Sequence, residues 1–85
     1  MDKENKNYYR DIYLIIAQNI KKYRKIKGIT QAQLAEEVDL SHEFIRRIES
    51  KKGQKSFSVE TIYRIAKALD VDISALCEED KEKNK

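Results

Sequence analysis

The stretch from Thr30 to Glu49, TQAQLAEEVDLSHEFIRRIE, constrains this chain most, because its apolar residues meet on one side only if it folds as two short helices across a tight turn. Leu34, Ala35 and Val38 share a face at helical spacing, Leu40 falls in the connection, and Ile45 and Ile48 share a face of the second helix. Both helix starts are marked. Thr30 followed three residues later by Gln33 forms a capping box, and Ser41 is the cap of the second helix. The turn is thereby confined to Val38 through Ser41, the short steep connection of a helix-turn-helix unit. A generic helical hairpin would not need the small Ala35 where the helices cross.

The rest of the chain reads as helix as well. A first helix is expected to begin between Asn7 and Asp11 and to end at Lys27, where Gly28 can take the left-handed conformation. Tyr9, Ile12, Tyr13, Ile16, Ile20 and Tyr23 form its apolar stripe, Lys21, Lys22 and Lys25 fall off it, and Ile29 re-enters the core. After Glu49, SKKGQKSFS reads as a surface loop. Ser58 is placed to cap a helix from Val59 to Leu69, with Glu60 in its positive first turn and Ile62, Ile65, Ala66 and Leu69 inward. Asp72 is the expected cap of a last short helix carrying Ile73, Leu76 and Cys77. With no proline, two glycines and no alternating apolar run, the expected class is all-α, a compact five-helix bundle. The expected organisation is a partly helical N-terminal extension over 1–10, one domain over 11–77 and a flexible charged tail over 78–85.

Eighty-five residues supply one modest core, so a second, catalytic domain is not expected. The net charge is only +3, but it is unevenly spread: residues 1–30 carry eight basic and three acidic side chains, and residues 59–85 carry five and seven. The single Cys77 can form no internal disulfide and has no partner at zinc-site spacing, which fits a cytoplasmic protein without metal or other cofactor. The longest apolar run, IYLIIA at 12–17, is far too short for a membrane span or a signal core, so no membrane partner is expected. One histidine and one cysteine far apart, no phosphate-cradling glycine loop and no paired carboxylates argue against catalysis and against a small-molecule substrate.

The inward Ile45 and Ile48 fix what the second hairpin helix turns outward: His42, Glu43, Arg46, Arg47 and Ser50. A helix presented in this way can enter a DNA major groove, and His42, Glu43, Arg46 and Arg47 are the candidate base-reading residues. A guanidinium among them, at Arg46 or Arg47, can donate twice to the O6 and N7 of guanine. Glu43 can accept from the amino group of cytosine, but it also forms an i,i+4 pair with Arg47 that would exist on any solvated helix. Phe44 lies between the faces, where it either touches a thymine methyl or covers the core edge, the latter being the expectation. Ser41 and the loop residues Lys51, Lys52 and Lys55 are candidate phosphate contacts, although lysines in such a loop also serve as plain soluble surface.

The segment IKKYRKIKGITQAQLAEEVDLSHEFIRRIESKKG, followed by SVETIYRIAKALDVDISAL, resembles the Cro and phage-repressor type of helix-turn-helix regulator, the XRE-like family. The resemblance spans roughly Ile16 to Leu76 and implies a lambda-repressor-like DNA-binding domain. Asp39 departs from the glycine usual in the family's turn; of the non-glycine residues, aspartate is among the few that accept the left-handed conformation. The resemblance puts base reading at His42, Glu43 and Arg47, phosphate binding at Gln31, and a partly buried ion pair between Arg24 and Glu49.

The resulting expectation is a sequence-specific regulator, a repressor on double-stranded DNA. One helix reads few base pairs, so a homodimer on a partly palindromic operator is expected, joined through Ile73, Leu76 and Cys77 or through Tyr8, Tyr9 and Tyr13. The alternative is a protein-interaction module of the same fold, of antitoxin or anti-repressor type, favoured by the modest net charge and by Glu43 on the reading face.

Overall fold

The computed structural model of the chain describes residues 12–50 and 57–79. These form five helices: α1 (Ile12–Lys27), α2 (Gln31–Val38), α3 (His42–Glu49), α4 (Val59–Leu69) and α5 (Ile73–Leu76). Among the described residues there is no strand, and the architecture is the all-α five-helix bundle expected. The expected start of the first helix, with Tyr8 and Tyr9, and the loop residues Lys51, Lys52 and Lys55 lie outside the described residues.

Local chemistry sets the helix boundaries. Thr30 accepts from the Gln33 amide at 3.0 Å while the Gln33 side chain accepts from the Thr30 amide at 2.8 Å, which closes the capping box. Ser41 accepts from the Phe44 amide at 3.0 Å, and Ser58 from the Thr61 amide at 3.1 Å. Asp72 is the exception. It occupies the N-cap position of α5 in an extended conformation but makes no side-chain capping bond.

The C-terminal ends of α1, α2 and α4 share one solution. Gly28, Asp39 and Asp70 are left-handed, with φ of 81°, 60° and 64°. In each case the next amide reaches back to the carbonyl five residues earlier: Ile29 to Arg24, Leu40 to Ala35 and Val71 to Ala66, at 3.0–3.2 Å. Each of these following residues is apolar and packs against the core, so the reversal of the chain and the burial of a side chain are one event.

Every helix supplies one of the largest fully buried side chains: Ile20, Leu34, Ile45, Ile65 and Leu76. Ile16, Ala35, Val38, Ile48, Ile62, Ala66 and Leu69 complete the cluster. In the first turn of α1, Ile12 and Tyr13 are exposed, and Tyr13 meets Phe57 edge-on with ring centroids 5.3 Å apart. Of the apolar residues of α5, only Leu76 is buried; Ile73 and the C-cap Cys77 are exposed. A four-residue helix has room for a single inward position.

Side-chain bonds to backbone carbonyls join distant helices. Asn19, itself buried, donates to the carbonyls of Leu76 and Glu78, both at 2.7 Å, and so ties the end of α5 to the middle of α1. Arg64 donates to the carbonyl of Val38 at 3.2 Å, and Lys27 to that of Ala68. Both cations thereby meet the negative end of a neighbouring helix.

Asp39 and Asp70 place a negative charge at that same unfavourable end, in a conformation that asparagine tolerates equally well. Asp39→Asn and Asp70→Asn should each stabilise the fold by about 0.3–1 kcal/mol. Asp39→Val, β-branched in a left-handed position, should destabilise it by at least about 1 kcal/mol. Urea unfolding checks both signs.

Candidate nucleic-acid interface

α3 is amphipathic in a way that decides which of its residues can meet a ligand. Ile45, Ile48 and Glu49 are buried, Phe44 is half-buried against the core, and His42, Glu43, Arg46 and Arg47 are exposed. Phe44 is therefore a core-edge residue. Ser50, expected to face outward, is half-buried and forms the C-cap.

The buried charge at the end of α3 is fully matched. Arg24 approaches Glu49 as a fork, Nε to Oε2 at 2.7 Å and Nη2 to Oε1 at 3.0 Å, with the two side chains only 10% and 2% exposed. The third guanidinium nitrogen donates to the carbonyl of Ile29 at 2.8 Å. Gln31 adds a bond from Nε2 to Oε1 of Glu49 at 2.9 Å. One carboxylate thus accepts from α1 and from the first residue of α2, and the end of α3 is fixed to both. Planar, two-point donation is what arginine offers and lysine does not.

Gln31, expected at a phosphate, is consequently also part of this internal network. Its amide retains a second N–H and a carbonyl oxygen. Ser41 is exposed, with its hydroxyl oxygen occupied as the cap of α3.

On the outer face, Glu43 pairs differently from the simple i,i+4 expectation. Its principal partner is Arg46, one turn on, whose Nη2 lies 2.9 Å from Oε1 and 2.8 Å from Oε2 and whose Nε lies 3.3 Å from Oε1. Arg47 stands further off, with Nε 3.8 Å from Oε2. The hydrogen bond from Arg46 and its charge, joined by the charges of Arg47 and His42, hold the Glu43 carboxyl below the usual carboxylate range. It stays ionised where an ordinary glutamate would begin to protonate.

Neither Asn19, Arg64 nor Lys27 stood out in the sequence, since each sits among other polar residues with nothing to show which carbonyl it meets.

Two capped helices over a shared core, the second bolted down from within and polar outside, make up the reading unit of helix-turn-helix DNA-binding domains. The chain belongs to the helix-turn-helix family, whose model matches residues 20–76. It is 34% identical over 68 residues to the control protein C.SmaI of Serratia marcescens, covering 80% of this chain and 79% of that protein. It is 36% identical over 67 residues to the immunity repressor protein of Bacillus phage phi105, covering 79% of this chain but only 45% of the repressor. Among solved structures, the biofilm master regulator SinR in complex with DNA superposes with a TM-score of 0.68 at 32% identity, covering 74% of this chain and 98% of that one. The chain is a DNA-binding transcriptional regulator rather than an enzyme. Among the described residues, no helix is long and apolar enough to cross a membrane.

Removing one partner of a buried ion pair strands the other, at a cost of about 3–5 kcal/mol. Glu49→Ala should fall in that range, whereas Glu36→Ala, at an exposed position of α2, should stay within about 0.5 kcal/mol of the parent. Equal losses in thermal or urea unfolding would show that the pair does not anchor α3.

Proposed function

We propose that the protein represses transcription in the cytoplasm by occupying a partly palindromic operator as a homodimer, each copy laying α3 in the major groove. The observation that carries this reading is the separation of faces on α3: every buried side chain of the helix serves the core or the Arg24 anchor, and the exposed ones include two arginines. Arg47 is the principal guanine reader, with His42, Glu43 and Arg46 beside it on the same face. Ser41, Lys51, Lys52 and Lys55 contact the flanking phosphates. Gln31 uses its remaining amide hydrogen on a phosphate next to the N-terminus of α2, where backbone amides favour an anion. Its bond to Glu49 then couples backbone contact to the reading helix.

Two copies are needed because one helix spans only a few base pairs, and half-sites should lie about one helical turn apart. Exposed Ile73 on α5 with its C-cap Cys77, or Tyr13 on α1, are the surfaces for pairing; buried Leu76 is not available for it.

Selection from a random DNA pool should return a motif with two related halves, and Arg47→Ala should lose preference at one G·C pair in each half, worth about 1–3 kcal/mol. An unchanged motif with Arg47→Ala would remove Arg47 from the reading set. Affinity for the parent motif should fall with salt by about 0.9 logarithmic units per phosphate neutralised.

A further inference from the structure

Glu43 is the only acidic side chain among the exposed residues of α3. A carboxylate facing phosphates is repelled by every DNA sequence alike, so its place on a reading face calls for a physical reason. Its geometry supplies one. Both carboxylate oxygens accept from Arg46, which commits its Nε and Nη2 to them. Arg47, four residues on, is close enough for electrostatic attraction but, among the described residues, its side chain makes no hydrogen bond. Positions three and four residues beyond Glu43 both flank it on the same surface, and it is the one three residues on, Arg46, that takes the hydrogen bonds. Glu43 also lies in the first turn, where the positive end of the helix favours it independently of either arginine.

We infer that Glu43 is a positioning residue that acts through Arg46: it holds that guanidinium on the protein, suppresses sequence-independent attraction to phosphates, and leaves Arg47 free to read a base. The inference rests on α3 being the reading helix. On DNA of arbitrary sequence, Arg46 has two options. It stays paired and adds no phosphate contact, or it leaves and exposes an unmatched carboxylate to the backbone. Both weaken binding. On the operator, the guanine contact of Arg47 offsets the loss, and a cytosine amino group can donate to the freed carboxylate. Discrimination therefore comes as much from weakened binding to wrong sites as from contacts to the right one.

The test uses the full chain, its selected operator and a scrambled duplex, with binding measured across a salt series for the parent, Glu43→Gln, Arg46→Gln and the double variant. Glu43→Gln should bind the scrambled duplex several-fold more tightly, steepen its salt slope by about 0.9 as Arg46 gains a phosphate, and narrow the ratio between the two duplexes. In the Arg46→Gln background the same change should leave the slope unaltered. A slope change that persists without Arg46 would show that Glu43 acts through its own charge. Unaltered binding to the scrambled duplex by Glu43→Gln would overturn the inference while leaving the reading helix in place. If the parent bound neither duplex at low salt, the DNA-reading assignment of α3 would fall, and this role with it. Thermal melts of the DNA-free variants establish that each is folded, since all the substituted side chains are exposed.

Discussion

The Arg24–Glu49 pair is the interaction on which the rest depends. α3 spans eight residues, too few to hold its shape in water alone, and it buries only Ile45 and Ile48 as apolar residues. Those two isoleucines fix which face is inward, but hydrophobic contact is non-directional and does not by itself fix how the helix lies along its axis. A forked, buried guanidinium–carboxylate contact does, because both the distance and the plane of approach are set. The neighbouring bonds to the Ile29 carbonyl and from Gln31 extend that control to the turn before α2 and to its first residue.

That arrangement divides labour between two groups of charges. The buried pair is worth little as net stabilisation relative to an apolar replacement, since desolvation offsets most of its attraction. Its contribution is orientation. The exposed set on the opposite face costs little to maintain and is free to be chosen for recognition. Glu43 and Arg46 belong to this second group and pair with each other; on the proposed role of α3, that pairing tunes how readily the face meets DNA of any sequence.

Much of this was legible in the chain because its signals are local. The capping box at Thr30, the cap at Ser41 and the span of α4 follow from residues at most a few positions apart, and each is found where the spacing put it; the left-handed turn at Asp39 came from the family resemblance. The Arg24–Glu49 pair came from family resemblance, since two charges 25 positions apart carry no local signature. What escaped was long-range and polar. Asn19 occupies an inward position on α1 that a helical pattern assigns to an apolar residue, and only the fold shows the two carbonyls that justify it. Arg64 and Lys27 meet helix ends in the same way. The cap expected at Asp72 reflects the opposite error, a local rule satisfied in position but not in hydrogen bonding.

On the proposed function, α3 is anchored from inside by Arg24 and lays its outer face on DNA. NMR titration of the protein with its selected operator duplex tests this most directly. The largest shifts should fall on His42, Glu43, Arg46 and Arg47 and on the amides at the start of α2, with Arg24 Nε remaining in slow exchange throughout as its bond to Glu49 persists. Shifts centred on α4 and α5, with α3 unmoved, would show that α3 does not meet DNA.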